Sequence, residues 1–127
     1  MWSPDAAGGK QGGAVASVDY PRLYFAEMRD AIDRILTYTA GGREVFFADP
    51  MIQDAVVRNI EIIGEAARTI TEATRGAHPE IPWRKIVGTR DRVIHGYFRV
   101  DLDIVWEVVA TELPVLRQQV SSLLPPL

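Results

Sequence analysis

The chain contains no cysteine. That excludes a disulfide framework, a thiolate metal site and a cysteine nucleophile. It has two histidines, His78 and His95, so imidazole chemistry has few places to sit. No apolar run approaches the roughly 18 residues that suggest a membrane span. The N-terminus has no basic segment followed by an apolar core, so it does not read as a secretory signal. A cytoplasmic location is therefore expected. No alternating strand pattern competes with the helical ones, and there is no internal repeat. A net charge of −3 argues against a broad nucleic-acid-binding surface.

What is present fits one domain of 127 residues with 47% apolar and 24% charged side chains, enough for a single hydrophobic core. Residues 1–19 carry Gly8-Gly9 and Gly12-Gly13 with little to bury and are expected to form a disordered leader. Residues 20–127 are expected to form a helical domain. Phe25, Met28, Ile32, Ile35 and Leu36 recur at three- and four-residue steps, which predicts a first helix from Pro21 to about Tyr38, ended by Gly41-Gly42. Phe46 and Phe47 fall in the connection and are read as anchors on the core rather than as base-stacking groups. Asp49-Pro50 restarts a helix as a cap followed by proline, and the series from Ile52 to Ile70 runs about five turns. Gly64 inside it predicts close approach of a neighbouring helix. Glu61 and Glu65 are one turn apart, but Arg58 and Arg68 lie at pairing distance on the same helix, which favours ion pairs over a metal site. Glu65 is also a candidate partner for an arginine across the core.

Residues 76–82 read as a loop with His78 exposed. Pro82-Trp83 opens a short helix that Gly88-Thr89 should break or bend, with Thr89 able to cap a further helix from Arg90 and Gly96 ending it. Asp101 should cap a final helix, kinked at Pro114. The architecture expected is an all-α, up-down helical bundle with short additional helices.

The chemistry concentrates in Arg90-Asp91-Arg92-Val93-Ile94-His95-Gly96-Tyr97. An imidazole titrates near roughly 6.5 and can exchange a proton at cellular pH. A guanidinium stays charged and offers a planar fork to phosphate oxygens. The window from Trp83 to Arg99 carries Arg84, Lys85, Arg90, Arg92 and Arg99 against Asp91 alone, a local charge of +4 that leaves the remainder at −7. A polyanion should therefore bind locally. On a continuous helix Arg90 and His95 would be about 140° apart, which strains a site built from one copy. Asp91 and His95, at i and i+4, would touch, so Asp91 could fix the imidazole tautomer. A two-fold dimer would bring two histidines and two arginines into one cleft. Such a set suits metal-free RNA cleavage. One histidine takes the 2′-hydroxyl proton, the other protonates the leaving 5′-oxygen, and the arginines stabilise charge on phosphorus. The products would be a 2′,3′-cyclic phosphate and a 5′-hydroxyl, and DNA would be spared.

The same stretch resembles the R-x4-H-x-Y signature of HepT-like toxins in the HEPN superfamily. The resemblance extends through Asn59 to Ala67, Ile81-Pro82-Trp83-Arg84 and Val100 to Trp106, and covers roughly Tyr20 to Leu116. It implies a HEPN bundle, a homodimer with the motif at its interface, and a ribonuclease toxin with Arg90 and His95 as the catalytic pair. It also implies a co-encoded minimal nucleotidyltransferase antitoxin of a type VII-like system, which uses ATP and Mg²⁺ to adenylylate the tyrosine matching Tyr97. The toxin itself requires no cofactor in this reading. Asp91 stands where the superfamily often has Asn, placing a carboxylate beside the phosphate site. Two other classes stay open: a non-catalytic HEPN module binding a nucleotide or RNA, and a structural helical dimer.

Overall fold

The computed structural model describes residues 20–95 and 99–125. The leader expected over 1–19, and Gly96, Tyr97 and Phe98, lie outside the described residues. The described residues form an all-α bundle: α1 (Tyr20–Tyr38), α2 (Arg43–Ala48), α3 (Pro50–Thr69), α4 (Glu72–Ala77), α5 (Trp83–Val93), α6 (Leu102–Glu107), a π-helical segment (Val108–Glu112) and α7 (Leu113–Ser121). Between α5 and α6 stands a two-stranded antiparallel ladder, β1 (Ile94–His95) and β2 (Arg99–Val100), pairing Ile94 with Val100 and His95 with Arg99.

The long helices form where the apolar period predicts them. The α1 stripe of Phe25, Met28, Ile32 and Ile35 is buried against the α3 stripe of Val56, Ile60, Ile63 and Ala67, with Val105, Val109, Leu113 and Val120 completing the core. Asp49 caps α3 by accepting from the Met51 and Ile52 amides at 2.9 and 3.3 Å. At the other end of α3 the Arg75 guanidinium donates to the Ala67 and Arg68 carbonyls at 3.0 and 3.2 Å, adding a side-chain donor to the carbonyls of the last turn, where Ala67 also accepts from the Ile70 amide. Gly42 takes φ 98°, the left-handed conformation that lets the chain turn from α1 into α2.

Several local expectations are corrected. Phe46 and Phe47 do anchor on the core, but from the short helix α2 rather than a loop; Phe46 is fully buried. Part of the 76–82 loop belongs to α4, capped by Thr71, whose hydroxyl accepts from the Thr74 amide at 3.2 Å. His78 follows it half-buried, edge-to-face with Phe25 at 5.8 Å. Gly88-Thr89 does not interrupt α5. A helical glycine costs about 1 kcal/mol, less than the burial of Trp83, Ile86 and Val93 on one face returns. Thr89 is inside the helix, donating to the Lys85 carbonyl at 2.7 Å, and α5 ends at Val93. Asp101 caps α6 as expected, accepting from the Ile104 amide at 3.2 Å. Pro114 is accommodated by the preceding π turn, in which the Leu113 amide reaches the Val108 carbonyl. The wider turn meets the demand of a residue that has no N–H and crowds the preceding turn.

Candidate active site

The motif begins in the last turn of α5 and runs into β1. Basic side chains there are favoured by the carbonyl end of the helix dipole. The turn out of the helix is held by the Asp101 amide, which donates to the Val93 carbonyl at 2.7 Å. Val93 itself is fully buried, so the chain leaves the core at a defined point.

Arg90 points toward α3. Its Nε–H donates to Glu61 Oε2 at 3.1 Å, and its Nη1 stands 3.9 Å from Asp91 Oδ1. The other Glu61 oxygen lies 3.8 Å from Arg58 Nη1. One turn along α3, Glu65 faces Arg68 at 3.5 Å. The pairing of Glu61 and Glu65 with Arg58 and Arg68 is therefore as the spacing predicts. The carboxylate that reaches an arginine of another helix is Glu61, not Glu65. These groups line a polar cleft of about 550 Å³ together with Tyr24 and Glu27. Gly64 lies on its floor. A Cβ there would stand 3.6 Å from the Ile86 carbonyl oxygen, so α3 and α5 do approach closely, at ordinary contact distance.

Because α5 stops at Val93, the 140° rotation between Arg90 and His95 does not apply. Arg90 is helical and His95 lies on a strand paired with Arg99. For the same reason Asp91 and His95 are not one helical turn apart. The Asp91 side chain is 90% exposed and faces solvent beside Arg90. Tyr97 lies outside the described residues.

Arg92 leaves the opposite flank of α5. Its Nη1 and Nη2 donate to Glu112 Oε1 and Oε2 at 3.2 and 2.9 Å, and Lys85 Nζ stands 3.5 Å from the same carboxylate. The hydrogen bond to Glu112 raises the Arg92 pKa, and the bond from Arg92 holds the Glu112 carboxyl below the usual glutamate range. Beside this cluster is a second, largely apolar groove of about 320 Å³ lined by Ile63, Ile86, Val108, Leu113 and Leu116. Among the described residues no group of three His, Asp or Glu side chains is placed to hold a metal ion, and no helix is long and apolar enough to cross a membrane.

Sequence reasoning missed both acidic partners, Glu61 for Arg90 and Glu112 for Arg92. It also missed Asn59, which is buried, accepts from Arg34 Nε at 2.8 Å and donates to the Ala55 carbonyl. The three arginine pairings span 20 to 29 positions, and no local periodicity reports such contacts.

Residues 28–123 match the family described as ribonuclease HepT-like. The chain belongs to that family. It is 37% identical over 105 residues to a "Putative RNase" of Caldanaerobacter subterraneus subsp. tengcongensis, spanning 82% of this chain and 94% of that protein. It is 38% identical over 104 residues to a "Probable ribonuclease HepT" of Thermococcus cleftensis, spanning 79% and 92%. A "Putative RNase" of Methanocaldococcus jannaschii is 33% identical over 104 residues, spanning 81% and 86%. No solved structure matches the chain. The family assignment agrees with the resemblance carried by the motif and with the all-α bundle.

Proposed function

We propose that the chain is a metal-independent endoribonuclease toxin that cuts RNA through Arg90 and His95 at the interface of a homodimer. The observation that carries this reading is Arg90 at the rim of a polar cleft, five positions before the motif histidine, in a chain of a ribonuclease family. Arg90 stabilises charge on the phosphorus. His95 moves the proton of the 2′-hydroxyl or of the leaving 5′-oxygen. One motif supplies one histidine, whereas in-line cleavage needs an acid and a base, so a second copy completes the site. The partner is a nucleotidyltransferase antitoxin that adenylylates Tyr97. The added phosphodiester places a negative charge in the motif, where it competes with RNA for Arg90. The working unit is residues 20–127, in the cytoplasm, with 1–19 as a leader.

The test is cleavage of labelled RNA with and without EDTA, on protein whose mass is first measured by light scattering against the 14.1 kDa chain. A dimer is expected that yields 2′,3′-cyclic phosphate ends and is indifferent to EDTA. His95→Ala and Arg90→Ala should each slow it on the order of 100- to 10,000-fold. Cleavage that survives His95→Ala and stops with EDTA refutes the mechanism. RNA binding without any cleavage selects the non-catalytic module instead.

A further inference from the structure

We propose that Glu61 is the positioning residue for Arg90, holding the guanidinium by one edge so that its terminal nitrogens are presented to an RNA phosphate. This rests on the ribonuclease reading above and adds a residue to it. Glu61 stands 29 positions before Arg90, on a different helix, and its Oε2 accepts from Arg90 Nε at 3.1 Å. Its Oε1 is 3.8 Å from Arg58 Nη1, so one carboxylate bridges an arginine of its own helix and the arginine of the motif. The Glu61 side chain is 31% exposed, against 55% for Arg90 and 71% for Arg58. It is the most enclosed member of the trio and the one best able to fix the others.

A guanidinium carries five N–H donors in a rigid plane. With Nε–H taken by Glu61, four N–H bonds on the two terminal nitrogens remain, and the orientation of the plane is set. Asp91 Oδ1, at 3.9 Å from Nη1, is too far to occupy them. A donor fork already held in place loses less freedom on meeting a phosphate, and it needs no reorganisation as charge develops there. The close packing of α3 on α5 around Gly64 sets the distance that Glu61 has to span.

Glu61 also repels the phosphate that Arg90 attracts, and the two effects separate in an assay. Orientation acts on the chemical step, whereas repulsion acts on affinity. Removing the carboxylate should therefore slow cleavage while RNA binds as tightly or more tightly, a split that a purely structural contact would not produce.

The experiment measures kcat and KM for a labelled RNA, and Kd by fluorescence anisotropy, for the full chain and for Glu61→Ala, Glu61→Met and Glu61→Gln. Thermal melts accompany each variant. Glu61→Met keeps the bulk but loses the acceptor, and serves if alanine destabilises the bundle. Loss of the acceptor is expected to lower kcat on the order of tenfold to a hundredfold with KM and Kd unchanged or lower. Glu61→Gln should recover part of kcat, because its amide oxygen can still accept from Nε. An active wild type whose folded acceptor-less variant keeps or raises kcat overturns the proposal and leaves the nuclease reading standing. An inactive wild type overturns both.

Discussion

Replacing Glu112 with glutamine tests whether α5 is braced from its far flank. The carboxylate receives both terminal nitrogens of Arg92 at 3.2 and 2.9 Å and has Lys85 at 3.5 Å. The side chains are 24% and 32% exposed, so the pair is half-buried rather than solvated. A charge-assisted hydrogen bond contributes about 1.5–3 kcal/mol. Remaining exposure and the desolvation that opposes both charges reduce this, and the amide oxygen preserves one bond. The expected loss is on the order of 1 kcal/mol at neutral pH, or a fall in Tm on the order of 4 °C. The raised Arg92 pKa and the lowered Glu112 pKa describe one interaction and count once. The sign with pH follows from Glu112. A carboxyl whose folded pKa lies below its unfolded value, about 4.3, contributes stability that is fully present above that value. The contribution is lost as pH falls through the folded pKa. Urea unfolding of wild type and Glu112→Gln should therefore differ most at pH 7 and converge as pH drops well below 4.3. A difference that stays constant with pH, or grows as pH falls, would refute the assignment.

Two further outcomes are expected. Gly64→Ala should leave Tm unchanged or raise it, since the new methyl meets the Ile86 carbonyl at 3.6 Å, ordinary contact, and alanine gains about 1 kcal/mol of helix propensity; a fall of several degrees would mean that α3 and α5 cannot give way. Tyr97→Phe should show no mass gain by intact-mass spectrometry after incubation with the nucleotidyltransferase and Mg-ATP, while wild type gains one or more adenylyl groups and loses RNA cleavage; a modified wild type that still cuts at full rate removes the control mechanism.

The parts of the fold that were legible are those with enough turns to display a period. The α1 and α3 stripes each repeat over about five turns, and Asp49-Pro50 marks the start of α3, as Asp101 does that of α6, by capping chemistry that is local in sequence. The six-residue helices α2 and α4 are too short to show a period, and β1 and β2 have two residues each. Their existence depends on what they close: the Phe46 anchor, the Trp83 indole donating to the Arg75 and His78 carbonyls, and the neck between Val93 and Asp101. Gly88 reads as a break on propensity alone, and the burial on either side of it keeps the helix continuous. For the site, spacing and resemblance pick out Arg90 and His95 as candidates, but the helix end at Val93 separates their backbones into different elements. That end lies where an inward valine and the Asp101 amide fix the chain, a tertiary event.

The +4 window reads differently once α5 is a single helix. Successive residues turn by about 100°, so Arg90 and Arg92 leave it roughly 200° apart, while Lys85 and Arg92, seven positions apart, share a flank. Lys85 and Arg92 converge on Glu112, beside the apolar groove. Arg90 goes the other way, to Glu61 and the polar cleft. Within what looks in one dimension like a basic cluster, Lys85 and Arg92 take one flank and Arg90 another, each flank anchored by an acid from a different part of the bundle. A diffuse patch would hold RNA by summed charge and would tolerate loss of any one cation. In the proposed nuclease, two anchored flanks would instead make phosphate recognition depend on the flank that borders the cleft. Arg90 is the motif cation placed there, and Arg92 is committed to a carboxylate on the other side. Glu61 and Glu112 thus set the direction in which each arginine leaves α5, and in the proposed nuclease they would decide which one meets the RNA.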